Sequence, residues 1–214
     1  MNIDNTIAKE GVVLIVEDDI SLRTALAAAL KVRSIDHLEF ENSNEVSSFL
    51  AKGSVNKPTC MLLDIRLGSG PTGLSVFDQI TERKLAEQVP VIFMTGHGDL
   101  DTAVDVMKHG AFDFVTKPFS TPDLIKKIMA ALESSTVAIK EESERSSLSL
   151  LLEQLTEKES EVMRLMVEGK TNREIAEIGG NSTRTVELHR ARVFDKLKVS
   201  NAVELTRILS VLSK

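Results

Sequence analysis

The chain contains no tryptophan and no tyrosine. That absence argues against sugar or quaternary-amine sites, which are built on such rings. There is one cysteine, Cys60, so no internal disulfide can form and no cysteine-rich metal site exists. Cys60 lies in the apolar run 60–63 and is expected to be a buried, inert thiol. The four histidines, His37, His97, His109 and His189, lack zinc-ligand spacing. His97 and His109 are expected at the surface. No apolar run approaches the length that crosses a bilayer, and no membrane partner is expected. Met1 to Glu10 is polar and acidic, so neither a signal peptide nor an anchor is expected, and a cytoplasmic location is the default.

What is present describes a globular chain. Its 214 residues are 42% apolar and 27% charged, enough for one large domain or two small ones. The net charge of −6 argues against a nucleic-acid partner, but the average hides an asymmetry. Residues 1–148 carry 15 Lys+Arg against 22 Asp+Glu, whereas residues 149–214 carry 11 against 10. Between Ser182 and Lys198 there are five basic and two acidic side chains. Two different jobs are implied.

In the first part, short apolar runs alternate with helical patterns. Strands are expected at 11–16, 37–40, 60–63, 91–94 and 112–115. Helices are expected at 21–31, 44–52 and 73–83, from a cap at Asp99 to His109, and from Thr121-Pro122 to Leu132. This alternation predicts a doubly wound parallel sheet of five strands over residues 1–132. Such sheets bind ligands at the carboxyl ends of their strands. Glu17, Asp18, Asp64, Thr95 and Lys117 all fall there. Carboxylates so gathered suit a hard cation, and the lysine suits an added anion. Each fragment has a plainer reading: the acidic triplet Glu17-Asp18-Asp19 as a turn with a helix cap, Asp64 as a surface turn residue, and Phe114 as ordinary core.

Residues 133–148 are serine-, glutamate- and lysine-rich, a linker composition into which the preceding helix could continue. Residues 149–214 read as all helix. Thr156-Glu157-Lys158-Glu159 and Thr171-Asn172-Arg173-Glu174 are capping boxes. The second opens a short helix, followed by Gly179-Gly180-Asn181 and a helix from Thr183 to about Lys198 capped by Ser182; a last helix is expected from Asn201 to Leu212. A short helix, a glycine turn and a longer basic helix are the parts of a helix-turn-helix.

These residues carry a resemblance. The first ~130 resemble the receiver domain of bacterial two-component response regulators, a flavodoxin-like fold. The segments 155–159, 171–176, 184–190 and 196–197 resemble the LuxR-type helix-turn-helix. Together they resemble the FixJ/NarL family, with the FixJ branch suggested by Met94-Thr95-Gly96-His97-Gly98-Asp99 and Gly110-Ala111-Phe112-Asp113-Phe114. The resemblance implies that Asp64 accepts a phosphoryl group from a sensor histidine kinase. It implies that Mg²⁺ is held by Asp18, Glu17, Asp64 and the backbone carbonyl of Arg66. Thr95 and Lys117 would contact the phosphoryl group, and Thr95 with Phe114 would form the switch. A cis Lys117–Pro118 bond and a homodimer on phosphorylation are implied as well. In the second domain, Thr183, Arg184, Glu187, Leu188, His189, Arg190, Ala191, Arg192 and Lys196 would meet double-stranded DNA.

Three departures stand out. The loop 64–73 is one residue longer than the commonest family form, with its proline later. Gly179 replaces a larger apolar residue, so a looser turn is expected. Glu187 and Ala191 stand where some relatives place lysines. Three classes remain in view: a phosphorylation-switched transcription regulator that is not an enzyme, an aspartate-nucleophile phosphatase, and a receiver-based adaptor. The phosphatase is disfavoured because Arg66, not a carboxylate, lies two residues after Asp64.

Overall fold

The structure is a computed structural model and describes residues 11–53, 56–68, 70–96 and 100–213. His97 and the expected cap Asp99 lie outside the described residues. Among the described residues, no helix is long and apolar enough to cross a membrane. The chain divides into two compact units between Lys140 and Glu141.

The first unit alternates strand and helix: β1 Val12–Val16, α1 Ile20–Lys31, β2 Asp36–Phe40, α2 Ser43–Lys52, β3 Thr59–Asp64, α3 Gly73–Glu82, β4 Val91–Thr95, α4 Leu100–Lys108, β5 Asp113–Thr116 and the start of α5 Thr121–Glu153. All strand pairs are parallel, in the order β2-β1-β3-β4-β5. Side chains alternate across the sheet, yet both faces are apolar, because helices cover both. Val13, Ile15, Leu62 and Ile92 face α1 and α5. Leu14, Val16, Leu63 and Phe93 face α2, α3 and α4. Each such buried side chain removes enough apolar surface to contribute about 2 kcal/mol.

Register places the site. Val16 pairs with Leu63, so Glu17 and Asp64 follow one step on; Asp64 pairs with Met94, and Thr95 pairs with Thr116. Strand order reverses direction between β1 and β3, and the crevice at such a switch point is where open parallel sheets take ligands.

The helix after β5 is longer than its expected span. α5 runs on to Glu153 rather than stopping at Leu132, so the whole stretch 133–148 is helical. Serine, glutamate and lysine are tolerated on the solvated surface of a helix, and residues 140–147 are all exposed. Ser135 is the exception: it is fully buried, accepting from the Thr59 N–H at 2.8 Å and donating to the Gln88 carbonyl at 2.5 Å.

The second unit contains α6 Glu157–Val167, α7 Asn172–Gly179, α8 Thr183–Leu197 and α9 Ala202–Leu209, then a 3-10 turn over Ser210–Ser213. The last helix is thus shorter than expected, its end tightening into that turn. Val162, Ile175, Val186, Val193 and Leu205 form the core. Both capping boxes are present, each threonine hydroxyl accepting from the N3 backbone while the N3 glutamate returns to the cap. Such a cap contributes about 1 kcal/mol.

Candidate functional site

The acidic triplet after β1 divides its labour. Asp19 caps α1, accepting from the N–H groups of Ser21 at 2.7 Å and Leu22 at 3.2 Å. Those backbone bonds, Leu22 first, hold its carboxyl below the usual range. Glu17, 1% exposed, and Asp18, which is exposed, are left to form the pocket with Asp64.

Lys117 closes that pocket. Its Nζ lies 2.8 Å from Asp64 Oδ2 and 2.7 Å from Glu17 Oε2. Asp64 Oδ1 accepts from the Arg66 N–H at 3.3 Å, so both carboxylate oxygens are oriented. Burial pushes the Glu17 carboxyl up to about 7; the Lys117 hydrogen bond opposes this and the Asp64 charge adds to it. Burial also works against the Lys117 charge, but its bonds to Asp64 and Glu17 outweigh it and raise the ammonium above its ordinary value.

The pocket fits a hard divalent ion. Ligand oxygens of Glu17, Asp18 and Asp64 lie within 4.8 Å of one another, with no nitrogen or sulfur donor among the three. Receiver domains bind Mg²⁺ at an acidic pocket, and oxygen donors in an incomplete cage suit that ion, which keeps several waters. The loop after β3 leaves room: a Cβ at Gly68, where φ is +40°, would sit 3.2 Å from Asp18 Oδ2. Gly73 is required for a harder reason, since a Cβ there would fall 2.0 Å from the Asp64 carbonyl oxygen.

Thr95, fully buried at the end of β4, donates its hydroxyl to the Gly96 carbonyl at 3.0 Å. Its own carbonyl accepts from the Lys117 N–H at 2.7 Å. The Lys117–Pro118 bond is cis. Phe114 is half-buried on β5, opposite Phe93, against the α2–α4 side of the core.

In the second unit, α7 ends at Gly180, whose φ of +62° turns the chain. The Asn181 N–H bonds the Ala176 carbonyl at 3.0 Å, and the Asn181 amide bonds the Gly179 carbonyl at 2.8 Å. The turn is therefore closed rather than loose: Asn181 occupies the space that a side chain at Gly179 would need. Ser182 then caps α8 through the Thr185 N–H at 3.1 Å. Val186, Val193 and Leu197 bury one face of α8. Thr183, Arg184, Glu187, Leu188, Ala191 and Arg192 are exposed on the other.

Three of the expected DNA residues are placed differently. Arg190 is half-buried, its guanidinium carbon 5.9 Å from the Phe194 ring centroid. His189 is half-buried, and its buried Nδ1 finds no hydrogen-bond partner among the described residues. Lys196, expected at the DNA, is engaged within the unit instead: its Nζ lies 2.6 Å from Glu159 Oε2 and 3.0 Å from the Gln154 carbonyl. Glu159, only 2% exposed, is the N3 residue of the first capping box. The Lys196 bond, then the Thr156 N–H, hold its carboxyl down at about 2.

Comparison with known proteins agrees with this architecture. The family described as "Response regulator receiver domain" matches residues 13–129. "Bacterial regulatory proteins, luxR family" matches residues 153–209. The C4-dicarboxylate transport transcriptional regulatory protein DctR of Rhodobacter capsulatus is 35% identical over 91% of this chain and 96% of its own length. The transcriptional regulatory protein FixJ of Azorhizobium caulinodans is 34% identical over 91% of this chain and 89% of its own. The solved structure of the response regulator StyR matches with a TM-score of 0.80 at 29% identity, covering 94% of this chain and 98% of that one. A receiver with an acidic pocket, joined to a LuxR-type helix-turn-helix and matched along nearly its whole length by such regulators, belongs to the FixJ/NarL family of two-component response regulators, which are transcription factors rather than enzymes.

Proposed function

We propose that Asp64 is the phosphoacceptor of this regulator and that its phosphorylation by a sensor histidine kinase promotes a homodimer that binds DNA through α8. The observation that carries this reading is the Lys117 ammonium shared between Asp64 and Glu17 at the carboxyl edge of the sheet. A carboxylate accepting a phosphoryl group faces charge repulsion. Glu17, Asp18, Asp64 and the Arg66 carbonyl would hold Mg²⁺, which would supply positive charge against that repulsion. Lys117 serves the same end from the protein side. It already rests on Asp64 Oδ2, and after transfer its ammonium is in reach of a new phosphoryl oxygen. The Thr95 hydroxyl, now donating to the Gly96 carbonyl, has a proton to give to the same group. Its turn inward frees space for Phe114, so the half-buried ring is the candidate second part of the switch.

The face formed by α4 and β5 is the candidate dimer surface, supported by the exposed apolar side chains of Val104 and Met107 on α4. On DNA, Arg184, Glu187, Leu188 and Ala191 would stand nearest the bases and Thr183, Arg192 and Arg190 nearer phosphates, which position without specifying. His189 serves as packing beneath that face, and Lys196 leaves the contact set. A cytoplasmic site of action follows from the DNA partner.

The deciding experiment incubates the full chain with a small acyl-phosphate donor and measures intact mass. The wild type should gain one phosphoryl group when Mg²⁺ is present and lose the gain with chelator. Wild-type phosphorylation of Asp64→Asn would refute the assignment.

A further inference from the structure

We propose that Arg23 is the positioning residue of the acidic pocket: its guanidinium fixes the backbone of Glu17 and Asp18 so that their carboxylates converge with Asp64 on a divalent cation. The inference rests on the reading of that pocket as a cation site. Arg23 lies in the first turns of α1, and its side chain is only 11% exposed. Its Nη1 donates to the Glu17 carbonyl at 2.5 Å and approaches the Asp18 carbonyl at 3.3 Å. Behind it, Nε lies 3.8 Å from Glu39 Oε2 on β2.

The geometry explains why an arginine stands there. Two consecutive carbonyls drawn toward one planar donor group fix the peptide planes on either side of Asp18. The Glu17 N–H is tied to the Phe40 carbonyl at 3.2 Å, so that residue is held from both ends. The Asp18 carboxylate is exposed, so its aim depends on its backbone. Asp19 cannot supply this, being spent on the α1 cap. A guanidinium presents several donors in a rigid fork, whereas an ammonium is a point charge on a flexible stem. Glu39 lies on the far side within ion-pair range, a weaker version of the outer partners that orient the ligands of metal sites.

Arg23 is also a positive charge near the pocket, and as a charge alone it would repel a cation. Removing it would then tighten Mg²⁺ binding. If Arg23 acts by positioning, removing it must weaken binding. The two accounts predict opposite signs.

The test is calorimetric titration of the full chain with Mg²⁺, comparing wild type, Arg23→Gln, Arg23→Lys and Glu39→Gln, with circular dichroism to verify folding. We expect Arg23→Gln to weaken Mg²⁺ by about 10-fold or more. Arg23→Lys should recover part of that loss, and Glu39→Gln should show a smaller loss of the same sign. At saturating Mg²⁺, phosphorylation of Arg23→Gln by an acyl-phosphate donor should approach the wild-type rate, which a collapsed pocket would not allow. Binding by Arg23→Gln as tight as wild type, or tighter, overturns the proposal. If Arg23→Gln fails to fold, unchanged affinity in both Arg23→Lys and Glu39→Gln overturns it instead. A wild type that binds no Mg²⁺ brings down the cation site itself, and Arg23's role with it.

Discussion

The Lys117 ammonium lies 2.7 Å from the Glu17 carboxylate, joining two residues one hundred positions apart in the chain. With its second bond to Asp64, this one cation offsets two carboxylates whose side chains are 1% and 10% exposed.

Removing that cation should therefore cost stability before it costs chemistry. Breaking a buried pair leaves an uncompensated charge, and Lys117 keeps a quarter of its side chain in water, so Lys117→Met should destabilise the first unit by about 2 kcal/mol. Mg²⁺ should then protect the variant more than it protects the wild type. Hydrogen exchange of β3 peptides, with Mg²⁺ and with chelator, reads both effects. Equal protection by Mg²⁺ in the two proteins contradicts the expectation.

The Glu159–Lys196 pair has a pH signature. The Glu159 carboxyl falls from its usual 4.5 to about 2 in the folded chain. A depressed folded value means the pair's stabilisation is fully present above pH 4.5 and is lost as pH falls toward 2. Glu159→Gln should lower the melting temperature of the second unit at neutral pH. The gap to wild type should close across that acid window. A gap that stays constant through it would show that the charge is not what matters.

DNA binding should separate the basic residues of α8 by salt dependence. Each phosphate neutralised contributes about one unit to the slope of log affinity against log salt. On a duplex selected from random sequences by the wild-type full chain, Arg192→Gln should flatten the slope by about one unit per protomer. Lys196→Gln should weaken binding by loosening α8 while leaving the slope in place. A flattened slope for Lys196→Gln would restore it to the phosphate contacts.

The coupling of the two units is open to sizing. A phosphoryl group adds about two negative charges, but screening confines their direct reach to about 8 Å, so the signal has to travel by shape. Sedimentation velocity with beryllofluoride, a phosphoryl mimic, should show the wild type becoming dimeric at micromolar concentration. Thr95→Ala should respond weakly. An unchanged wild-type mass would leave release of the second unit within a monomer as the surviving account.

Much of this was legible in the residues. The strands are apolar on both faces, so runs such as Val12–Val16 and Val91–Thr95 announce themselves, and the ends of those runs mark the pocket. The extent of α5 was legible only as an alternative, because the same polar composition suits a linker and a solvated helix face. Lys196 looked like one more basic residue because its partner, Glu159, is 37 positions away. Arg23 carried no signal at all: its acceptors are main-chain carbonyls, which every residue possesses.

The exposed run from Lys140 to Ser147 in α5 has one more consequence. All eight side chains there are exposed, and the Ser146 hydroxyl bonds Glu142 one turn back along the same helix. Eight such residues are too few to make a stable helix by themselves. The run sits at the division between the two units, so a foreign output module spliced at this point should inherit a receiver whose own core is unchanged.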